Sequence, residues 1–224
     1  LCGRPPSTEE YDAFMADTNA DKRARAVDRL LAHDDFGRNW GNYWSDTMAA
    51  RIQPPELTFL TYKPFKTWLA KELNAGKSWA EIVTQIFTAQ GVLEEKPETT
   101  YIAYHQGNPI TLAGAQIGCA QCHDHPFDRW KQVEFHQTAA FFARAAVKMP
   151  QNSSLKTALT SKDKGEHTMP DKLGTAHPVV LTGEALAQNA ADAERRAAFA
   201  AWLTHPENPW FAKTYVNRIW SRML

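Results

Sequence analysis

Two cysteines followed directly by a histidine are the residues of this sequence best suited to chemistry. The stretch Cys119-Ala120-Gln121-Cys122-His123 has the Cys-x-x-Cys-His spacing at which c-type haem is attached. One helical turn presents both thiols to the two vinyl groups of a porphyrin, and the histidine then reaches the iron as its proximal ligand. With three cysteines and eight histidines in 224 residues, chance produces such a match on the order of once in a thousand sequences. The motif therefore predicts one covalent haem c.

Two other chemistries use the same residue types. A Cys-x-x-Cys redox pair of the thioredoxin kind is expected in a β-α-β context, which the neighbouring sequence does not show. Zinc is a stronger alternative, because Cys119, Cys122 and either His123 or His125 could fill a tetrahedral site. Structural zinc sites usually take their ligands from two separated pairs, and this chain has no second cysteine pair. Haem is the preferred interpretation, and a zinc-stabilised structural or interaction domain stays open.

The sixth coordination position of a bound iron decides what the haem does. A histidine or methionine there favours electron transfer, whereas an open position permits chemistry with peroxide or small ligands. His125 is too close to His123 to reach the opposite face of the ring, so we expect it to contact a haem propionate or to orient the loop. Four other side chains are candidates for the second axial ligand: His105, His136, Met149 and Met169.

Two classes of function are compatible with this motif. The first is a redox carrier, a c-type haem module that relays electrons to a redox partner protein or within a larger exported complex. The second is a haem-dependent enzyme with an open axial site. No serine-histidine-aspartate order, phosphate-binding glycine loop or paired-carboxylate signature stands out.

The charge balance and the haem motif indicate which kinds of partner and which cellular compartment to expect. Lysine plus arginine and aspartate plus glutamate both number 25, so the formal net charge is zero. That balance gives no electrostatic argument for binding nucleic acid or an anionic membrane surface. No apolar run reaches the length of a membrane span. Thioether attachment of haem takes place outside the energy-transducing membrane, so the motif predicts a periplasmic or extracellular protein whose export signal is not in this segment.

The elements that must position the motif are predicted to be helices. Two capping boxes begin helices, Ser7 with Glu10 and Ser78 with Glu81. Apolar residues at helical spacing, or an alanine-rich composition, predict the remaining helices at residues 19–34, 40–48, 65–75, 133–146, 192–203 and 211–223, with a short helix from Thr111 leading into the motif. The break between the second and third helices is expected at 35–37. We expect the second helix to bury Val27, Leu30 and Leu31.

Two polar segments separate these helices. Residues 94–109 and 150–178 are polar and lack periodicity, which predicts loops. Residues 179–181 are suited to a short hairpin. The predicted fold class is therefore mainly α: an irregular helical domain around a single c-type haem, with long loops and at most a short hairpin.

Several longer stretches also resemble one group of bacterial proteins. The matching pieces follow the order of that group along nearly the whole chain: Gly3–Pro6 with Glu9 and Glu10, Val27–Leu31, Phe36–Trp40 with Tyr43 and Trp44, Leu112–Gly114, Cys119–Asp128, Phe135 and His136 with Ala139–Ala143, Trp202–Thr204, Asn208–Ala212 and Val216–Trp220. On these residues the chain resembles the large cytochrome-like proteins of planctomycetes and their relatives. These proteins are built from paired domains of unknown function and are often fused to a small cytochrome c module.

The resemblance implies an exported, haem-bearing bacterial protein, and it brings no settled biochemical activity with it. It divides the chain into a first family domain with the haem motif (1–146), a long loop and connecting helix (147–207), and the start of a second, truncated domain (208–224). The helix between Gly114 and Cys119 is shorter than the family pattern. Tyr43 stands where many relatives have histidine, so the resemblance implies no iron ligand at that position.

Overall fold

α-Helices account for most of the structure, a computed structural model that describes residues 1–50, 62–105, 117–149, 157–170 and 173–224. The helices are α1 (Thr8–Ala16), α2 (Lys22–Leu31), α3 (Asp34–Ser45), α4 (Lys63–Asn74), α5 (Trp79–Thr88), α6 (Thr100–Tyr104), α7 (Gln132–Ala139), α8 (Asp192–Leu203) and α9 (Phe211–Met223). The strands are short: β1 (Gly91–Val92), β2 (Ala145–Lys148), β3 (Ala158–Ser161), β4 (His167–Thr168) and β5 (Thr175–Ala176). The mainly α fold class is confirmed. Across the described ranges, no helix has the length and apolar character needed to cross a membrane.

Local sequence signals set the ends of several helices. At the start of α1, the Glu10 amide donates to Ser7 Oγ at 3.2 Å and the Ser7 amide donates to Glu10 Oε2 at 2.8 Å. Ser78 and Glu81 make the same reciprocal pair before α5. After α4, Gly76 has a φ of 71°, a left-handed conformation that glycine adopts without strain. These predicted helix boundaries are confirmed.

α3 and α4 pack closely because two glycines lie at their interface. A Cβ atom at Gly37 would lie 2.3 Å from the Ala70 carbonyl oxygen, and one at Gly41 would lie 3.0 Å from the Ala70 amide nitrogen. The two glycines are four residues apart, so they lie on one face of α3. Gly37 is thus inside a helix, where the sequence predicted a break. The close approach of the two backbones explains why this helix tolerates glycine.

The main core is built from aromatic rings contributed by distant parts of the chain. Phe199 of α8 is fully buried, and its ring centroid lies 5.1 Å from those of Phe87 and Phe142. Trp44 of α3 stacks on Tyr215 of α9 with a centroid distance of 5.5 Å. α8 and α9 therefore share one hydrophobic core with the helices of the first half of the chain.

Two small antiparallel sheets take three of their strands, β3, β4 and β5, from residues 150–178, which were expected to be a loop. The first has the order β1-β3-β2, and Leu159 at its centre is opposite both Gly91 and Val147. The second is a pair in which His167 of β4 is opposite Ala176 of β5. The hairpin expected at 179–181 is reduced to a single bridge between residues 179 and 185. The described part of 150–178 therefore contains three strands.

Two other stretches differ from prediction. Residues 97–104, expected in a loop, form a 3₁₀ turn followed by α6, and all five α6 residues are buried. The helix predicted to reach Ala146 ends at Ala139, since the chain turns into β2 to pair with β3. The first difference follows from core packing and the second from a non-local strand partner, and neither is encoded in local periodicity.

The outer face of α2 is less buried than its apolar pattern predicts. Val27 is 38% exposed and Leu31 is 43% exposed, so the expectation of burial is wrong for both; Leu30 is half-buried. The helix predicted from Thr111 and the shortened segment after Gly114 fall in residues 106–116, outside the described part of the chain.

An ion network of two buried arginines and a partly exposed glutamate joins α8 to the β4–β5 pair. The fully buried Arg195 lies on α8, and its Nη2 is 2.8 Å from Glu166 Oε1. Arg144 Nη2 lies 2.7 Å from the same oxygen. Hydrogen bonds from Arg195, and after it from Arg144, hold the pKa of Glu166 below its usual range. Arg195 also donates to the carbonyls of Ala140 and Ala190 at 3.1 and 3.0 Å, so the buried guanidinium has several hydrogen-bond partners.

Candidate functional site

The Cys-x-x-Cys-His motif lies on a short 3₁₀ turn, Gly118–Gln121. Ile117 and Ala120 are buried and anchor the turn in a small apolar cluster with Trp130, Phe135, Ala139 and Leu181. Cys119 lies within the turn, and Cys122 is the residue that ends it. Both are free thiols exposed to solvent. The turn therefore presents the two sulfur atoms outward, while its apolar residues hold it to the protein.

His123 follows the turn with one ring nitrogen engaged by the backbone. The side chain is exposed, and its Nδ1 lies 2.7 Å from the Asp124 carbonyl oxygen. A carbonyl oxygen only accepts hydrogen bonds, so Nδ1 carries the proton and Nε2 of the neutral ring keeps its lone pair. Metal-binding histidines usually donate their second nitrogen to a carbonyl or carboxylate in this way. His123 is thus oriented as a ligand through Nε2.

Asp124 fastens the end of the motif to the start of α7. Its Oδ1 accepts the Gln132 amide at 2.9 Å, and its Oδ2 lies 2.9 Å from Lys131 Nζ. These two hydrogen bonds, the one from the Gln132 amide first, hold the pKa of Asp124 below its usual range. The carboxylate is consequently ionised at neutral pH, next to the imidazole of His123.

His125 closes the loop that follows the motif. Its amide donates to the Trp130 carbonyl at 2.8 Å, and its Nδ1 accepts the Phe127 amide at 3.2 Å. The Phe127 ring is 94% exposed, whereas the Arg129 guanidinium covers the Trp130 ring at 4.1 Å from its centroid. The described contacts of His125 are thus with the loop.

His105 and His136, two of the candidate second axial ligands, differ in whether a ring nitrogen is free. The His105 ring donates to the Met48 carbonyl, and its buried Nε2 has no hydrogen-bond partner among the described residues. Burial lowers the pKa of His105 to about 4, so the ring is neutral at pH 7. In His136, Nε2 lies 3.1 Å from the Gln121 carbonyl and Nδ1 lies 2.8 Å from His167 Nε2. Both nitrogens of His136 are therefore engaged.

The two methionine candidates lie beside the short sheets. Met149 comes directly after β2 and is 47% exposed. Met169 lies between β4 and β5, is half-buried, and donates its amide to the Gly174 carbonyl at 2.9 Å. Tyr43, where the resembling proteins have histidine, packs against Trp44 and donates its hydroxyl to the Arg218 carbonyl at 3.4 Å.

The side chains at the motif are of the types that a covalent haem c would need. Two adjacent free thiols and an imidazole with an available Nε2 are the groups that covalent haem attachment uses. Within the described ranges, no three histidine, cysteine, aspartate or glutamate side chains are grouped as a metal site requires. Cys119, Cys122 and His123 are the residues that would hold the haem.

The sequence reasoning missed the contacts that hold the motif turn to α7. Gln132 Nε2 donates to the Cys122 carbonyl at 3.0 Å, and His136 donates to the Gln121 carbonyl. The predicted helix began at residue 133 and left out Gln132; α7 begins one residue earlier, so that Gln132 and His136, four apart, lie on one face. Glu166, which contacts the buried arginines, carried no signal in the sequence.

Comparison with known protein families gives two matches along the chain. Residues 1–147 match the family model PSCyt2, described as a protein of unknown function (DUF1549). Residues 195–224 match PSD1, described as a protein of unknown function (DUF1553). No curated protein and no solved structure matches the chain. The matches confirm the resemblance to planctomycete cytochrome-like proteins at the level of their paired domains of unknown function.

Proposed function

We propose that this chain, which belongs to the PSCyt2 family (DUF1549), is a c-type haem protein whose attachment site is Cys119–His123. The observation that carries the proposal is the exposure of the two motif thiols together with the hydrogen bond that orients His123. Two free, exposed thiols lie on one turn, and the adjacent His123 has Nδ1 bonded to a carbonyl and Nε2 available. Cys119 and Cys122 would hold the haem through thioethers, and His123 Nε2 would bind its iron.

Electron transfer is the role that the exposure of this site supports best. Bound haem supplies one-electron chemistry at its iron. Because Cys119 and Cys122 are exposed, the attached edge of the haem would be accessible at the protein surface, where a redox partner protein or the rest of an exported complex could approach. Of the four candidate axial ligands, we propose His105 as the second, since its buried Nε2 has no hydrogen-bond partner in the described residues. Thioether chemistry places the protein in the periplasm or outside the cell.

The first experiment tests attachment itself. The chain is exported in a bacterium that makes c-type cytochromes, and the product is examined by pyridine haemochrome spectra and by mass spectrometry of the Cys119–Cys122 peptide. We expect a haem-sized adduct that is lost in Cys119→Ser and Cys122→Ser. The buried Cys2 provides the matched control, and Cys2→Ser should keep the adduct. A protein with bare thiols, a disulfide or stoichiometric zinc would contradict the proposal.

The second experiment tests the role of the haem. Carbon monoxide and cyanide are added to the reduced and oxidised holoprotein, and the absorption spectra are recorded. An electron carrier with both axial positions filled should show no shift, whereas His105→Ala should bind carbon monoxide. Met149→Ala is the matched control and should stay unreactive. Ready binding by the unmodified protein would favour the enzymatic alternative, a haem with an open axial site.

A further inference from the structure

The motif turn has too little structure of its own to keep its shape. A helix leaves its last carbonyl groups without partners, and a 3₁₀ turn of four residues has few internal hydrogen bonds to offer. In this protein two of these carbonyls accept from side chains of α7. Gln132 Nε2 lies 3.0 Å from the Cys122 oxygen and 3.4 Å from the Gln121 oxygen, and His136 Nε2 lies 3.1 Å from the latter. We call Gln132 and His136 the donor pair.

The protonation of His136 follows from its partners. Since the Gln121 carbonyl only accepts, His136 Nε2 carries a proton, and Nδ1 of the neutral ring is an acceptor. His167 Nε2, 2.8 Å from that Nδ1, is then the donor. The two rings stack with centroids 5.0 Å apart, and His136 is 4% exposed. Burial lowers the pKa of both histidines, which favours the neutral pair at pH 7.

His167 is itself held in place from the core. It pairs with Ala176 in the β4–β5 sheet, and the residue before it, Glu166, is bonded to Arg195 and Arg144. Arg195 is fully buried on α8. The ion pairs of the core therefore end at Glu166, the backbone connects Glu166 to His167, and hydrogen bonds lead from His167 through His136 to the Gln121 carbonyl of the motif turn.

We infer that Gln132, His136 and His167 are positioning residues of the attachment site, which keep the Cys119–His123 turn in its folded shape before any group is attached. The role in haem attachment rests on the proposed function. The effect of these side chains on the shape of the turn concerns the haem-free chain and can be tested in it. A preformed turn need not be ordered during attachment, so the two thiols and His123 are presented together at a lower entropic cost. Because both ring nitrogens of His136 are already hydrogen-bonded, His136 holds the turn and does not serve as an iron ligand.

Hydrogen exchange in the haem-free chain tests the inference directly. The change is His136→Phe, which keeps a ring of similar size and removes the donor to Gln121. We expect the amides of residues 120–122 to exchange about fivefold faster, as for the loss of one typical hydrogen bond. The amides of α5 and α8 should keep their wild-type rates. Unchanged exchange in the turn would overturn the inference.

Two further variants separate the hydrogen bond from general packing. His136→Gln places an amide nitrogen near the position of Nε2, so it should restore the slow exchange of the turn. If it exchanges as fast as His136→Phe, the donor is not what holds the turn and the inference is wrong. Gln132→Met removes the other donor at constant length, and should accelerate the same amides even if His136→Phe fails to fold. Gln137→Met on the same helix is the matched control and should have no effect.

Haem attachment distinguishes this inference from the proposed function. If the wild-type chain carries haem, His136→Phe and Gln132→Met should each lower the attached fraction several-fold at equal protein yield, and His136→Gln should recover it. If both variants carried as much haem as the wild-type chain, positioning of the turn would not be needed for attachment and the inference would be wrong. If the wild-type chain takes up no haem, the proposed function fails, and the exchange rates alone decide whether the donor pair holds the turn.

Discussion

The aromatic core and the motif turn differ in the exposure of their characteristic side chains, which are buried in the core and exposed in the turn. In the core, Phe87 and Phe199 are fully buried and meet ring to ring, and the fold depends on their packing. In the turn, Cys119, Cys122 and His123 are all exposed and contribute little buried surface. The reactive side chains thus lie at the surface, and the buried residues Ile117 and Ala120 hold their turn against the apolar interior. Stability and function should therefore be separable by mutation.

The largest separation should come from two phenylalanines at the extremes of exposure. Phe199→Ala empties the centre of the aromatic core and should lower the free energy of unfolding by about 4 kcal/mol. Phe127→Ala, next to the motif, removes a ring that is 94% exposed. This substitution should change the free energy of unfolding by less than about 0.5 kcal/mol. Urea unfolding followed by tryptophan fluorescence gives both values. Equal effects would contradict the division between core and motif loop.

The ion network behind the motif should behave as part of the core. Arg195→Met should cost about 2 kcal/mol, because the Ala140 and Ala190 carbonyls lose a buried donor, whereas the partly exposed Glu166 keeps Arg144 as a partner. Glu166→Gln, which keeps the size of the side chain, should cost less. A double-mutant cycle in urea measures the coupling, and we expect the double variant to be more stable than the sum of the single losses predicts. Strict additivity would mean that the two side chains are not coupled.

A buried histidine should make the core sensitive to acid. Burial lowers the pKa of His105 from 6.5 to about 4, so between these pH values the unfolded chain binds a proton that the folded chain does not. Its contribution to stability is thus complete above pH 6.5 and falls, by roughly 3 kcal/mol, as the pH drops towards 4. Urea unfolding of the haem-free chain at several pH values measures this loss. His105→Gln should have a shallower pH dependence over that range, and an equally steep one would contradict the assignment.

The smallest effect on stability should accompany the largest effect on function. Replacing both motif cysteines, Cys119→Ser with Cys122→Ser, should change the unfolding free energy of the haem-free chain by less than about 0.5 kcal/mol, since both side chains are exposed. The same variant should carry no covalent haem. Thermal unfolding and the haemochrome assay, done on one preparation, measure both. A loss of stability comparable to that of Phe199→Ala would show that the thiols take part in the fold.

Several helices of this protein could be predicted because their signals are local. The capping boxes at Ser7 and Ser78 act within four residues, and the alanine-rich α8 begins and ends where its composition predicted, at Asp192 and Leu203. The elements that were mispredicted depend on distant partners. β2 forms because β3 lies beside it. α6 is a five-residue, largely apolar stretch between polar neighbours, and its burial depends on packing against the core.

The same division holds at the candidate site. The spacing of Cys119, Cys122 and His123 was enough to predict haem attachment, since two thiols and an imidazole on one turn need no other part of the chain to be recognised. The sequence did not indicate that His136 donates to the Gln121 carbonyl, nor that Arg195 and Glu166 hold the strand behind it.

The sequence by itself determined most of the helices and was enough to predict haem attachment, because both depend on residues within a turn or two of each other. Only the tertiary structure decided which apolar faces are buried, where the short strands pair, and which nitrogens of the histidines are free. Those properties depend on groups that are far apart in the chain and meet only in the folded core.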